Sequence, residues 1–129
     1  MSKWIFIVKS PIEDLKKRVK ERSWPIYQHT PNRKKLKIGD NVIFYLAGEE
    51  GQKFVGKAII GSGLTSTGLD YSVGISDVEI WDSPVNIKDV IGEFDFILHK
   101  ENWGAYFQCG VRSLNDKDYK TVISEVYKK

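Results

Sequence analysis

The sequence predicts an α+β domain built on a small, bent β-barrel of five to six strands, with an early helix and a C-terminal helix. Three observations carry this. Short runs of aromatic and β-branched residues recur between turn residues. A capped, basic amphipathic segment follows the first run, and an apolar stripe at helical spacing closes the chain. Strands in that number, with a helix near either end, fit a small bent barrel.

The first run, Trp4-Ile5-Phe6-Ile7-Val8, is continuous and β-branched, as expected of a strand buried on both faces. Ser10, Pro11 and Glu13 then form a capping box with proline at the first helical position. Ile12, Leu15 and Val19 give the helix that follows a thin apolar stripe among lysines and arginines. Residues 23–38 carry two prolines and read as an irregular link. Lys37-Ile38-Gly39-Asp40 turns into a strand from Asn41 to Ala47, and Gly48 to Gly51 reads as a hairpin loop leading to a strand over Phe54–Ile60. Gly61 to Gly68 reads as a flexible loop.

From Tyr71 to Trp81 a long strand is expected. Its apolar positions change parity near Ser76-Asp77, which predicts a bulge. Pro84 should end it, and Ile87 to Ile91 fits one helical turn. Phe94 to Leu98 and Tyr106 to Cys109 are short strand candidates, with Arg112 between the second of them and the last helix. Asn115 should cap that helix, whose stripe is Tyr119, Val122, Ile123, Val126 and Tyr127.

Composition narrows the function. The 129 residues are 41% hydrophobic and 29% charged, the balance of a globular protein read as a single domain over 1–129. No apolar run approaches the roughly 20 residues of a membrane helix, and no signal-peptide architecture opens the chain, so an intracellular, cytoplasmic protein is expected. One cysteine, Cys109, excludes an internal disulfide and a multi-cysteine zinc site. With His29 and His99 far apart, neither a metal nor a cofactor is expected. The charge is asymmetric. Residues 1–60 hold 13 Lys+Arg against 6 Asp+Glu, whereas the rest holds 7 against 11. A basic half is the footprint of a polyanion binder, or else a solvated surface whose charges mix on folding.

One ordered combination goes beyond patterning. Lys3-Trp4-Ile5-Phe6-Ile7-Val8 is followed by Lys9-Ser10, a helix and an isolated Trp24. Next come Lys37-Ile38-Gly39-Asp40-Asn41-Val42-Ile43-Phe44-Tyr45 and Phe54-Val55-Gly56-Lys57-Ala58. Leu98-His99-Lys100-Glu101-Asn102-Trp103-Gly104 then leads to Arg112 and to Asp118-Tyr119. This order resembles the EVE domain of the PUA-like superfamily, a relative of the YTH domain that reads methylated adenine in RNA, over essentially the whole chain. The resemblance implies a PUA-like barrel with an aromatic pocket for one flipped-out modified base. Trp24 matches the cage tryptophan after the first helix, Lys9 and Ser10 the pocket-lining pair after the first strand, and Tyr45 the aromatic ending the second strand. The second cage wall falls between Leu64 and Tyr71, where this sequence has no tryptophan.

Each candidate has a structural alternative. Trp24 reads as a flat face for a base, worth about 1–3 kcal/mol in stacking, or as a loop tryptophan stapling its segment to the core. Ser10 is accounted for by helix capping alone, although a helix N-terminus also receives polar ligands. Tyr45 and Phe44 must face opposite sides of their strand, and a core tyrosine explains Tyr45 as well as a pocket does. Trp103 would wall the pocket or cap the barrel. Arg33, Lys34, Lys35, Lys37 and Arg112 are candidate phosphate contacts, or solvated charges.

The function expected is nucleic-acid binding by enclosure of a modified base, with single strands preferred because flipping costs less there. Replacing Trp24 by alanine is expected to cut selectivity and leave the protein folded. Two alternatives stay open. A PUA-like RNA-processing hydrolase would draw on Lys9, Tyr45 and Arg112 for base and charge stabilisation, but no histidine pair or spaced carboxylate cluster supports it. A protein-interaction module without a nucleotide ligand would bind with little dependence on salt.

Overall fold

The computed structural model describes residues 2–9, 12–28, 30, 33–48, 51–95, 97, 104, 107 and 110–128. Six strands form one sheet in the order β2-β5-β4-β3-β1-β6. They are β1 (Lys3–Lys9), β2 (Ser23–Ile26), β3 (Asn41–Ala47), β4 (Lys53–Ser66), β5 (Tyr71–Asn86) and β6 (Val111–Leu114). Helices α1 (Ile12–Glu21), α2 (Ile87–Val90) and α3 (Asp116–Tyr127) complete the α+β architecture, with short 3-10 turns at Arg33–Lys35 and Ile91–Glu93. β1 runs parallel to β3, and the other pairs are antiparallel.

The central strands are apolar throughout because both their faces are covered. Trp4, Phe6 and Val8 of β1 join Val42, Phe44 and Leu46 of β3 in one core, which Leu15 of α1 seals. The intervening Ile5, Ile7, Ile43 and Tyr45 face a second core, closed by Ile87 and Val90 of α2 and Val122 of α3. Phe44 and Tyr45 thus lie on opposite faces, as strand parity requires.

The sheet is rolled. Strand β2 stands at one edge, separated from β1 by three strands. Yet Trp24 of β2 lies 5.4 Å, ring to ring, from Phe6 of β1 and 5.1 Å from Phe44 of β3. Only a sheet curled toward closure brings its edge over its middle, which is the PUA-like half-barrel. The expected bulge helps to bend it. Lys57 pairs with Glu79 and Ile59 with Ser76, so Asp77 and Val78 both face Ala58. Asp77 takes the left-handed φ of 51° there. Gly56 is needed nearby because a Cβ at that position would collide with the Glu79 carbonyl oxygen.

Several expectations are corrected. Residues 23–26 are a strand and not an irregular link. Pro25 is tolerated because β2 is an edge strand, which needs no further ladder hydrogen bond. Strand β4 continues through Gly61 and Gly63 to Ser66, where a flexible loop was expected, and Pro84 lies inside β5 instead of ending it. Phe94, Asp95, Ile97 and Phe107 are not in strands; the rest of those two candidate segments lies outside the described residues, as do Ser10, His29, His99 and Trp103. Arg112, expected between a strand and the last helix, sits within β6, opposite Ile5.

The ends are fastened by two buried carboxylates. Asp40 accepts hydrogen bonds from the Trp4 indole Nε1–H at 2.9 Å and from the backbone N–H groups of Ser2 and Lys37, each at 3.1 Å. Asp118 accepts the Asp95 backbone N–H at 3.1 Å on both its oxygens, holding the segment after α2 against α3. Asn115 caps α3 as expected, accepting the Asp118 N–H at 2.7 Å. Lys3 adds an ion pair to Asp116 at 2.8 Å, which holds the Asp116 carboxyl below the usual carboxylate range.

Candidate nucleic-acid interface

Lys9 ends β1, α1 packs beside it, and β2 follows α1, so the chain brings three successive elements to one corner of the rolled sheet. A cavity of about 270 Å³ opens there, lined by Lys9, Asp14, Arg18, Trp24, Tyr27 and Thr30, with Ile7, Val8 and Val111 as its apolar wall. That volume is just below the ~300–1,000 Å³ typical of drug-sized ligands, so it suits a fragment of nucleobase size.

Trp24 lies in a strand and not in a loop, and it staples that strand to the core, as the structural alternative held. It is 1% exposed, stacked on Phe44 with 12° between the rings and tilted against Phe6. The Arg18 guanidinium lies over its indole, 4.6 Å from the ring centroid. A base that stacks on Trp24 must therefore displace Arg18, a contact worth about 0.5–2 kcal/mol.

A second, wider groove of about 400 Å³ adjoins the first and shares Asp14, Arg18 and Pro25 with it. Tyr71, Thr67 and Ser72 of the β4–β5 hairpin form its far wall. The hairpin is tied to the end of β2 by the Gln28 backbone N–H, which donates to Asp70 Oδ1 at 2.9 Å. Arg33 reaches the same region, its guanidinium 5.8 Å from the Tyr71 ring centroid. Leu64 packs, half-buried, against the first core, whereas Lys34, Lys35 and Lys37 are exposed.

Tyr45 stands apart. It is 1% exposed in the second core, stacked on Phe107 at 4.1 Å. It lines a different cavity, of about 460 Å³, with Lys9, Ala47, Gly48, Gln52, Gly104 and Phe107. Among the described residues its buried hydroxyl has no hydrogen-bond partner, a situation that costs about 1–3 kcal/mol. The structure thus joins Lys9 to Trp24, places Tyr71 in the adjoining groove, and puts Tyr45 across the sheet with Lys9 between.

Burial pushes the Tyr45 hydroxyl well above its ordinary pKa of 10. The unfolded chain ionises near pH 10 while the folded one stays protonated. The stability this represents is complete below pH 10 and is lost as the pH rises beyond it. In Tyr45→Phe that alkaline loss should shrink, which urea midpoints at pH 8 and pH 11 would show.

Sequence reasoning missed Tyr27 and Arg18. Tyr27 is 55% exposed at the mouth of the Trp24 cavity. Strand alternation from Trp24 and Ile26 inward would have turned it outward. Arg18 stands one helical turn beyond buried Leu15 and beside Val19, at the border of the apolar stripe.

Residues 2–125 match the EVE domain. The chain belongs to the EVE domain family. No curated protein matches it in sequence. Its fold is similar to that of human THYN1 in complex with DNA containing 5-methylcytosine (TM-score 0.73, 14% identity, covering 100% of this chain and 99% of that one). It is similar also to protein Atu2648 from Agrobacterium tumefaciens (TM-score 0.71, 19% identity, 98% and 93% covered). The YTH domain of Zygosaccharomyces rouxii MRB1 in complex with N6-methyladenosine RNA is a further likeness (TM-score 0.63, 14% identity, 96% and 86% covered). Among the described residues of this EVE domain no cluster of three or more His, Cys, Asp or Glu could hold a metal ion, and no helix is long and apolar enough to cross a membrane.

Proposed function

We propose that this EVE domain is a nucleic-acid reader that encloses one modified, methylated base of DNA or RNA in the cavity beside Trp24. The observation that carries the reading is that cavity: base-sized, with an aromatic wall at Trp24, an aliphatic wall and Lys9 at the same place. The folds it resembles include proteins captured with methylated DNA and methylated RNA, which supports the same class of ligand.

The chemistry follows from the lining. A base enters as Arg18 leaves the indole face, and the freed guanidinium turns to the phosphate that trails the base. The methyl group gains by leaving water for the wall formed by Ile7, Val8 and Val111, worth about 0.8 kcal/mol. Tyr27, exposed at the mouth, offers a ring to the neighbouring base and takes the part of the second wall. Ser10 stays in the proposal as a lining residue by resemblance, and Trp103 as a residue that walls the pocket. Single strands present such a base at lower cost than a duplex.

Arg33, Lys34, Lys35, Lys37 and Arg112 attract the backbone without reading sequence. Neutralising Lys34 and Lys35 together should weaken methylated and unmethylated single strands alike, and flatten the salt dependence by about 0.7 per lost contact. Binding isotherms at about 50 and 200 mM salt, a range over which such contacts weigh heavily, test this. A loss confined to one of the two strands would contradict the phosphate role, and binding indifferent to salt would favour a protein partner.

A further inference from the structure

The cavity lined by Tyr45 has a feature that fold maintenance does not explain. Tyr45 is almost wholly buried, yet its hydroxyl has no hydrogen-bond partner among the described residues. The cavity that Tyr45 lines is polar as well as aromatic, with Gln52, Gly48 and Lys9 beside Phe107. Lys9 has no ion pair among the described residues, and it lines both this cavity and the one beside Trp24.

The backbone of Gln52 is held in place. Gln52 holds a left-handed φ of 64°, costly for a residue with a side chain. It is kept there by its own N–H, which donates to the Leu46 carbonyl at 2.6 Å, and by its carbonyl, which accepts from Ile87 at 3.0 Å. Strain held in place beside a cavity is a recurrent property of binding sites.

We infer that this cavity is a second subsite, which takes the nucleotide adjacent to the enclosed base, with Lys9 on the phosphate between the two and Tyr45 and Gln52 hydrogen-bonding the flanking nucleotide. The inference rests on the reading of the Trp24 cavity and extends it from a single base to a dinucleotide.

Calorimetry with three probes separates the possibilities: 5-methyl-2′-deoxycytidine, a dinucleotide of it with thymidine, and the same dinucleotide with an abasic flanking sugar. N6-methyladenosine and its dinucleotides form the parallel RNA series. The dinucleotide should bind at least tenfold more tightly than the nucleoside, with the abasic analogue between them. Tyr45→Phe should weaken the dinucleotide about three- to tenfold, the worth of one hydrogen bond, and leave the nucleoside unchanged. Lys9→Ala should weaken both dinucleotides.

A nucleoside that binds, with a dinucleotide no tighter, overturns the subsite and leaves the reader intact. The same holds if Tyr45→Phe weakens nucleoside and dinucleotide equally or neither of them. If no nucleoside or dinucleotide of either series binds, the reader falls and the subsite with it.

Discussion

Trp24→Ala is expected to lose about 3–5 kcal/mol of folding stability, as large-to-small changes at fully buried aromatics do. The ring bridges an edge strand to the middle of the sheet through Phe6 and Phe44, so its removal unfastens the roll as well as emptying a core position. Urea denaturation of parent and variant measures this. A loss under 1 kcal/mol would mean that the edge is held by other contacts. The sequence alone had suggested that this variant would stay folded and lose only selectivity; the burial of the ring overturns that as a clean test. Trp24→Phe is the better probe of binding, since it keeps an aromatic on Phe44 and removes fewer buried atoms than Trp24→Ala.

Asp40→Ala should cost about 3 kcal/mol or more. The carboxylate is 2% exposed and serves three donors, and hydrogen bonds to a charged group contribute about 1.5–3 kcal/mol each, without full additivity. Its loss would orphan the buried Trp4 indole N–H and release the start of β1 from the turn before β3. The expected signature is a lowered urea midpoint together with faster hydrogen exchange at the Trp4 indole. Asp40→Asn, which keeps one acceptor oxygen, should fall between variant and parent. Unchanged exchange at Trp4 would contradict the assigned clamp.

Much of this architecture was legible in the residues, and the reasons are local. The uninterrupted runs of β1 and β3 announce strands covered on both faces, Asn115 announces its helix, and the parity change at Ser76-Asp77 announces the bulge. What escaped was decided by partners distant in sequence. Pro25 argues against a strand until β2 is known to be an edge. Gly61 and Gly63 look like a loop until β5 is seen to pair beyond them.

The site was legible in part for the same reason. Lys9 and Trp24 were identified as candidates, and the roll of the sheet joins them in one cavity. Strand parity separated Phe44 from Tyr45, but it does not say which face carries a ligand, and Tyr45 proved to lie across the sheet from Trp24. Nothing local to Arg18 says that it will lie over an indole six residues later. That contact depends on how α1 packs against β2.

The central claim is that the cavity beside Trp24 takes a methylated base. The most direct test is a titration of the ¹⁵N-labelled protein with 5-methyl-2′-deoxycytidine and with N6-methyladenosine, each against its unmethylated counterpart. The observable is the indole N–H signals of its four tryptophans, with that of Trp24 assigned from Trp24→Phe. The account predicts a saturable shift of the Trp24 signal and of the Arg18 side chain, at lower concentration for one methylated nucleoside than for its parent base. Equal affinity for methylated and unmethylated forms, or shifts that leave Trp24 and Arg18 untouched, would contradict it.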